Sequence, residues 1–209
     1  MIAIKCDLHI HTRYSCDSTE IMNNYCLTAI KLNLDCICFT DHVDHNPNDI
    51  GNDFYKIDDF FEEFNGIKYK YGDSLTILSG VEFAEPHMYK KEFDNYLKYP
   101  YDYILGSLHF WYNDMFPSEM IKFDVPVETC YDYYWEEMYN MVSYGGFDWV
   151  AHFDFPKRYY KKLLYNDDDI KDIFMEMSKN NLYLEINTSP LRKGLDENMP
   201  NYDILSIYN

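Results

Sequence analysis

Five of the seven histidines in the chain lie at or just beyond the ends of short apolar segments of the kind that form β-strands. They are His9, His11, His42, His109 and His152. Glu82 occupies the corresponding position at the end of another such segment. Imidazole and carboxylate groups are the usual protein ligands of catalytic metal ions. The pattern therefore predicts a metal centre built from histidine and glutamate.

The first two histidines form an H-x-H pair at the end of the first predicted strand. Side chains two residues apart on a strand point to the same face, so His9 and His11 are spaced to bind one ion. Asp17 follows six residues after His11, in the loop T-R-Y-S-C-D-S. Its carboxylate could reach a neighbouring ion, and it could equally be an ordinary loop or capping carboxylate.

Other polar residues near these positions have less specific interpretations. His45 and His87 lie in polar loops that contain proline, and we predict that both are loop residues. Asp41 and Asp154 each stand close to a candidate ligand histidine, which they could orient by hydrogen bonding. An ordinary loop carboxylate would have the same sequence pattern.

The chain contains three arginines, and each follows the end of a predicted strand. Arg13 follows H-I-H-T, whereas Arg158 and Arg192 follow the fifth and sixth strands. A guanidinium group can bind two phosphate oxygens at once, which makes Arg158 and Arg192 candidates for substrate binding. The alternative for both is a solvated surface position.

The elements that carry these residues alternate in type along the chain. Six strand-like segments are predicted to end near His9, Thr40, Val81, Leu108, Ala151 and Ile186. Helices are predicted over residues 57–71, 88–98, 127–143 and 167–179. The tail from Pro200 to Asn209 is predicted to be the opening of a further helix. Between the first two strands, apolar residues recur at helical spacing from Ile21 to Leu32, behind a capping candidate at Ser18-Thr19.

This alternation of strands and helices is typical of a parallel sheet or barrel. In a barrel the carboxyl ends of the strands meet on one face, which is where active sites are built. Residues that are remote in sequence would then become neighbours. We therefore predict an α/β fold of the TIM-barrel type in a single domain, residues 1–209.

Composition excludes several classes of function. The net charge of −18 disfavours binding to nucleic acid or to anionic membranes, although metal ions and arginines could still attract a small anionic substrate. No apolar run approaches the roughly 20 residues of a membrane helix. The six cysteines include no C-x-x-C pair, and no signal peptide precedes them, which predicts a reduced, cytoplasmic protein.

The strand-end motifs together resemble those of the polymerase-and-histidinol-phosphatase (PHP) family of metal-dependent phosphoesterases. They read D-L-H-I-H-T from Asp7, F-T-D-H from Phe39, G-V-E-F from Gly80, G-S-L-H-F from Gly106 and V-A-H-F-D from Val150. The segments H-F-D-F-P-K-R and L-E-I-N-T-S-P-L-R-K are most similar to the histidinol-phosphatase branch. The resemblance spans nearly the whole chain.

The resemblance implies a distorted (β/α)7 barrel with up to three divalent ions, which would be zinc, manganese or iron. His9, His11 and Glu82 would bind the first ion and Asp17 and His42 the third. Glu82, His109 and His152 would bind the second ion and are the predicted catalytic residues. The substrate would be L-histidinol phosphate, an intermediate of histidine biosynthesis, with Arg158 and Arg192 binding its phosphate oxygens.

The sequence departs from the family pattern near its end. Family members carry a seventh strand with an Asp-x-His pair, and no such pair follows residue 187 here. The chain is therefore expected to be a fragment of a longer protein, or a shortened member that lacks ligands of the first and third ions. Another phosphoester substrate, or a non-catalytic metal-binding domain, remains an alternative. An open sheet edge could also pair with a second copy of the chain.

Overall fold

The computed structural model describes residues 4–194 and 196–208. The fold is α/β, with six parallel strands that follow one another in chain order. The strands are β1 (Cys6–Ile10), β2 (Cys36–Val43), β3 (Thr76–Ala84), β4 (Tyr103–Ser107), β5 (Trp149–Val150) and β6 (Tyr183–Leu184). The predicted fold class and the predicted number of strands are confirmed.

Helices follow each of these strands. They are α1 (Met22–Lys31), α2 (Ile57–Tyr71), α3 (Lys90–Tyr96), α4 (Pro117–Lys122), α5 (Val127–Tyr144), α6 (Lys157–Tyr160), α7 (Asp167–Lys179), α8 (Ser189–Arg192) and α9 (Tyr202–Tyr208). Helix α9 lies in the tail that was predicted to be helical. The last residue of that tail, Asn209, is outside the described residues. Among the described residues, no helix has both the length and the apolar character needed to cross a membrane.

The start of α1 differs from the prediction. The helix begins at Met22, and Ile21 is its N-cap residue, so Ser18-Thr19 does not cap it. No side chain caps the helix; directly before it, Oε1 of Glu20 accepts a hydrogen bond from the Ile21 amide at 2.9 Å. Leu32, predicted to lie on the apolar face, is exposed beyond the end of the helix.

The first of two compact units comprises Met1–Phe83 and Lys91–Ile104. In it, β2 pairs in parallel with β1 and with β3, and His42 lies directly opposite Glu82. The pairing register of β1 with β2 shifts in the stretch from Asp7 to Ile10. This stretch contains His9 and directly precedes His11. Pairing in parallel thus brings the carboxyl ends of these three strands, and their histidines, to one edge.

The second unit comprises Ala84–Lys90 and Leu105–Asn209. In it, β5 pairs in parallel with β4 and with β6, with Val150 opposite both Gly106 and Leu184. A side chain at Gly106 would meet the ring of Phe147 at 2.7 Å, so this strand position accepts only glycine without rearrangement. That residues 1–209 form a single domain stays a prediction.

Candidate metal centre

The two histidines of the H-x-H pair converge on one glutamate. The Nε2 atom of His9 lies 2.9 Å from Nε2 of His11 and 2.9 Å from Oε2 of Glu82. Nε2 of His11 lies 3.1 Å from the same oxygen. Glu82 is buried, whereas the two imidazoles are partly accessible. Three potential ligand atoms therefore approach one another closely.

A second group of potential ligands adjoins the first and shares His11 with it. Nδ1 of His11 lies 3.0 Å from Oδ1 of Asp17, and Nε2 of His42 lies 3.9 Å from Oδ2 of the same residue. Nδ1 of His42 lies 3.6 Å from Oε2 of Glu82. All five metal-binding residues predicted from the first three strands thus lie together in this unit.

Asp41 supports this arrangement in a way that differs from the prediction. Its carboxylate accepts hydrogen bonds from the amide and the hydroxyl of Thr12, the residue that follows His11. It therefore fixes the end of the H-x-H segment and does not orient the neighbouring His42. Burial raises the pKa of Asp41 to about 6, although the two bonds from Thr12 act in the opposite direction.

The electrostatics of the cluster favour a cation. Burial alone would lower the pKa of His11, but hydrogen bonds to Asp17 and Glu82 raise it to about 9. Burial would raise the pKa of Asp17, and the bond and charge of His11 lower it instead. The carboxylates thus create a negative potential that stabilises positive charge on or between the imidazoles.

The donor set fits a divalent metal ion. Ligand atoms around a tetrahedral ion with metal–nitrogen bonds of 2.0–2.1 Å lie roughly 3.3 Å apart, close to the separations among His9, His11 and Glu82. His11, Asp17 and His42 also bring one ligand atom each within 4.8 Å of one another. Neutral imidazole with carboxylate suits zinc, manganese and iron, so the donors do not select among them.

The second unit brings together the other two predicted ligand histidines. Nε2 of His109 lies 3.5 Å from Nε2 of His152, and both residues are buried. The ring of Phe155 packs against both, at centroid distances of 5.2 Å and 4.9 Å. Two imidazole nitrogens that face each other at this distance are spaced to share one ion. The shared ion that the resemblance assigns to these histidines with Glu82 stays a prediction.

The three arginines occupy different environments. Arg158, on α6, is half-buried with its guanidinium 5.1 Å from the centre of the Phe155 ring. Its side chain donates to Ser189 Oγ at 3.4 Å, while its buried Nε has no hydrogen-bond partner among the described residues. Arg192 is exposed at the end of α8. Arg13 forms an ion pair with Glu63 at 2.7 Å.

Comparison with known families agrees with this geometry. A family model described as the PHP domain matches residues 7–189, most of the chain. The chain belongs to the PHP family. Its membership confirms the resemblance predicted from the strand-end motifs.

Curated relatives give the family a narrower context. The chain is 28% identical over 196 residues to the histidinol-phosphatase of Lactococcus lactis subsp. lactis, covering 88% of this chain and 71% of that protein. It is 30% identical over 196 residues to a probable histidinol-phosphatase of Clostridium acetobutylicum, covering 90% and 74%. PHP membership and these relatives support a hydrolase of the phosphoesterase type.

Solved structures share the fold at lower sequence identity. The histidinol phosphate phosphatase of Lactococcus lactis, in complex with zinc, L-histidinol and phosphate, has a TM-score of 0.76 at 22% identity, covering 98% of this chain and 81% of that one. A putative histidinol phosphatase from Listeria monocytogenes has a TM-score of 0.79 at 19% identity, covering 98% and 90%. At these identities the likeness shows the PHP fold alone.

The structure gives the remaining polar residues different neighbours. Asp154 forms a buried ion pair with Lys157 at 2.8 Å and is thus not the orienting partner of His152. His87 lies 2.9 Å from Glu137, and His45 packs against the Phe83 ring, so both stay outside the metal-binding groups.

Two features of interest were missed from the sequence. Glu85 is buried directly after β3 and accepts hydrogen bonds from the amides of His109 and Phe110. Its only sequence signal is a glutamate before proline at a strand end. Cys16, Asp44 and Asp49 also approach within 4.8 Å of one another. Burial and the nearby carboxylates raise the pKa of the Cys16 thiol to about 12, which disfavours the thiolate that metals bind.

Proposed function

We propose that this chain is a metal-dependent phosphomonoesterase that hydrolyses L-histidinol phosphate to L-histidinol and inorganic phosphate. Two lines of support come from related proteins. Curated relatives at 25–30% identity carry the name histidinol-phosphatase. The structural neighbour from Lactococcus lactis binds zinc together with L-histidinol and phosphate, which are the two products of this hydrolysis. A cytoplasmic location and a role in histidine biosynthesis belong to the same proposal.

The observation that carries the proposal is the approach of His9 Nε2, His11 Nε2 and Glu82 Oε2 to within 2.9–3.1 Å of one another. We assign these three residues to one divalent ion, with Asp17 and His42 as ligands of a neighbouring ion. A bound divalent ion lowers the pKa of water and offsets the negative charge of a phosphate group. Glu82, being buried, holds its carboxylate toward both imidazoles without competition from bulk water.

We assign the histidines of the second unit, His109 and His152, to a further ion. Arg158 is the proposed phosphate-binding residue, because its buried Nε–H is available to an anion and its ring contact with Phe155 restricts the guanidinium. Arg192 is exposed and would bind phosphate from solvent. Together they would neutralise the substrate locally, in a chain whose net charge is −18.

The proposal is tested by measuring hydrolysis of a panel of substrates with zinc, manganese or iron present. The readout is inorganic phosphate for the monoesters, p-nitrophenol for the bis-ester and shortened strands for DNA. The panel compares L-histidinol phosphate with p-nitrophenyl phosphate, bis-p-nitrophenyl phosphate and single-stranded DNA. We expect the highest kcat/KM for L-histidinol phosphate and no hydrolysis of the two diesters. Preference for another monoester would keep the enzyme class and change the substrate. Binding of metal without hydrolysis of any ester would instead favour a non-catalytic metal-binding domain.

A further inference from the structure

Two glutamates in the second unit contact the chain at the candidate ligand histidines. Glu85 directly follows β3 and is 1% exposed. Glu185 directly follows β6 and is half-buried. Neither residue belongs to a group of potential metal ligands among the described residues. Their hydrogen bonds nevertheless end on the backbone of His109 and His152.

The two glutamates make the same pair of bonds. The amide of Glu85 donates to the Ser107 carbonyl at 2.9 Å, and its Oε1 accepts from the His109 amide at 2.6 Å. The amide of Glu185 donates to the Val150 carbonyl at 3.0 Å, and its Oε2 accepts from the His152 amide at 2.7 Å. In both cases the glutamate clamps a three-residue segment whose last residue is a candidate ligand.

Further contacts restrain both carboxylates. Oε1 of Glu85 also accepts from the Phe110 amide at 3.1 Å, so two successive amides point to one oxygen. Oε1 of Glu185 accepts from Nδ2 of Asn187 at 3.2 Å. His152 itself has a φ of 28°, in the left-handed region that residues with a side chain rarely adopt. A bond to its amide therefore holds a backbone conformation that would otherwise relax.

We propose that Glu85 and Glu185 are positioning residues for metal binding by His109 and His152. A carboxylate that accepts a backbone amide at 2.6–2.7 Å makes a short, charge-assisted bond, which resists displacement of the backbone. Each histidine ring is then anchored at its own peptide, and the two Nε2 atoms face each other at 3.5 Å. The inference rests on the proposed function, because it concerns the metal that these imidazoles would hold.

The test follows the histidine side chains by nuclear magnetic resonance during titration with Zn²⁺, so that each imidazole reports its own site. For Glu85→Ala we expect the His109 signal to require about 10–100-fold more zinc than in the wild type, the usual effect of losing a group that orients a ligand. The His9 signal should titrate as in the wild type. Glu185→Ala should act in the same way on His152.

Two further variants separate positioning from other roles. Glu85→Gln keeps an oxygen that can accept the amides but lacks the charge, so we expect it to recover most of the zinc affinity that Glu85→Ala loses. Asp102→Ala removes a carboxylate that accepts the Ser79 amide at 2.8 Å, just before β4 begins. This matched control should lower the melting temperature of the chelated protein without changing the zinc midpoint of His109.

The outcomes distinguish the inference from the proposed function. Wild-type zinc binding in Glu85→Ala and Glu185→Ala would overturn the positioning role and leave the proposed function intact. If Glu85→Gln loses as much zinc affinity as Glu85→Ala, the positioning role is also overturned. The charge of Glu85, and not its hydrogen bonds to the backbone amides, would then determine zinc binding. If the wild-type histidines bind none of zinc, manganese and iron, both the inference and the proposed function fail.

Discussion

The contribution of each candidate metal-binding residue depends on the groups that hold it in place. His9 and His11 both direct Nε2 at a single carboxylate oxygen of Glu82, which is buried. Asp17 is more exposed, but its bond to His11 Nδ1 leaves Nε2 of that ring directed at Glu82. The orientation of one imidazole is thus set by a carboxylate on either side.

Replacement of one ligand of this group should abolish its metal binding. For His9→Ala we expect zinc affinity to fall by more than about 100-fold. Mutation of a residue that only hydrogen-bonds to a ligand lowers metal affinity by at most about that factor. Isothermal titration of the chelated protein measures this directly. His45→Phe is the matched control, because the ring of His45 packs against Phe83 and Tyr96 outside the cluster. Equal zinc affinity in His9→Ala and wild type would contradict the assignment.

A histidine outside the cluster should affect stability as the pH changes. Burial lowers the pKa of His87 below the ordinary 6.5, although its hydrogen bond to Glu137 acts in the opposite direction. Below pH 6.5 the unfolded chain takes up a proton that the folded protein binds more weakly. This contribution to stability is therefore present above pH 6.5 and lost as the pH falls below it.

We expect the His87→Gln variant to lose less stability than the wild type between about pH 7 and pH 5, since Gln does not titrate in this range. Urea unfolding of the chelated proteins at several pH values gives the free energy of unfolding. Parallel curves for the two proteins would show that His87 has the same proton affinity in the folded and unfolded states.

At the level of elements, a buried ion pair connects α6 to the chain before α9. Lys157, the first residue of α6, contacts Asp154 at 2.8 Å and donates to the Asn198 carbonyl at 2.5 Å. Asp154 in turn accepts from the Asn201 amide at 2.9 Å. Burial raises the pKa of Asp154 to about 6 in spite of the lysine. The Asp154 carboxylate is thus a buried charge that Lys157 compensates, and Lys157 Nζ also lies 3.5 Å from Oε1 of Glu197.

Removal of the lysine alone should be strongly destabilising. We expect Lys157→Ala to lower the free energy of unfolding by about 3–5 kcal/mol, because it leaves the buried carboxylate without a countercharge. The double variant Asp154→Leu/Lys157→Met should recover a large part of this loss. Chemical denaturation at neutral pH measures both. A loss below about 1 kcal/mol, the size of a surface ion pair, would contradict the account.

Elements with strong local signals could be predicted from the sequence. The ranges of α2 and α7 agree with the prediction, and Asn166 caps α7 by accepting the Asp168 amide at 2.9 Å. The start of α1 could not be predicted, because Ser18 and Thr19 are suitable capping residues in isolation. The helix begins later because the preceding loop is held by other contacts, among them the bond from Ser15 Oγ to Asp17.

In the candidate site, too, some features could be predicted from the sequence and others could not. The candidate ligand histidines could be recognised in the sequence because each stands at or just beyond the end of a strand-like segment, and their metal binding stays a prediction. The partners of Asp41 and Asp154 could not, because each carboxylate bonds to a residue other than the adjacent histidine. Glu85 was missed for a related reason: its carboxylate accepts from the amides of His109 and Phe110, more than 20 residues later and just beyond β4, and no local pattern specifies such a pairing.

At the level of the whole molecule, the net charge of −18 should influence stability. Like charges on the surface repel one another and destabilise the compact state. Raising NaCl from about 10 to 150 mM shortens the screening length from roughly 30 to 8 Å. We therefore expect the melting temperature of the chelated protein to rise with salt concentration. The rise should be about 2–4 °C for each kcal/mol by which the free energy of unfolding increases. Equal effects of NaCl and KCl would identify screening, and a constant or falling melting temperature would contradict the prediction.

The most direct test of the central claim is elemental analysis of the purified chain, paired with phosphate release from L-histidinol phosphate in the same preparation. The account predicts divalent metal at one ion per chain or more, with hydrolysis that stops on chelation and returns when metal is added. A chain that retains no metal and releases no phosphate, even after metal is supplied, would contradict it.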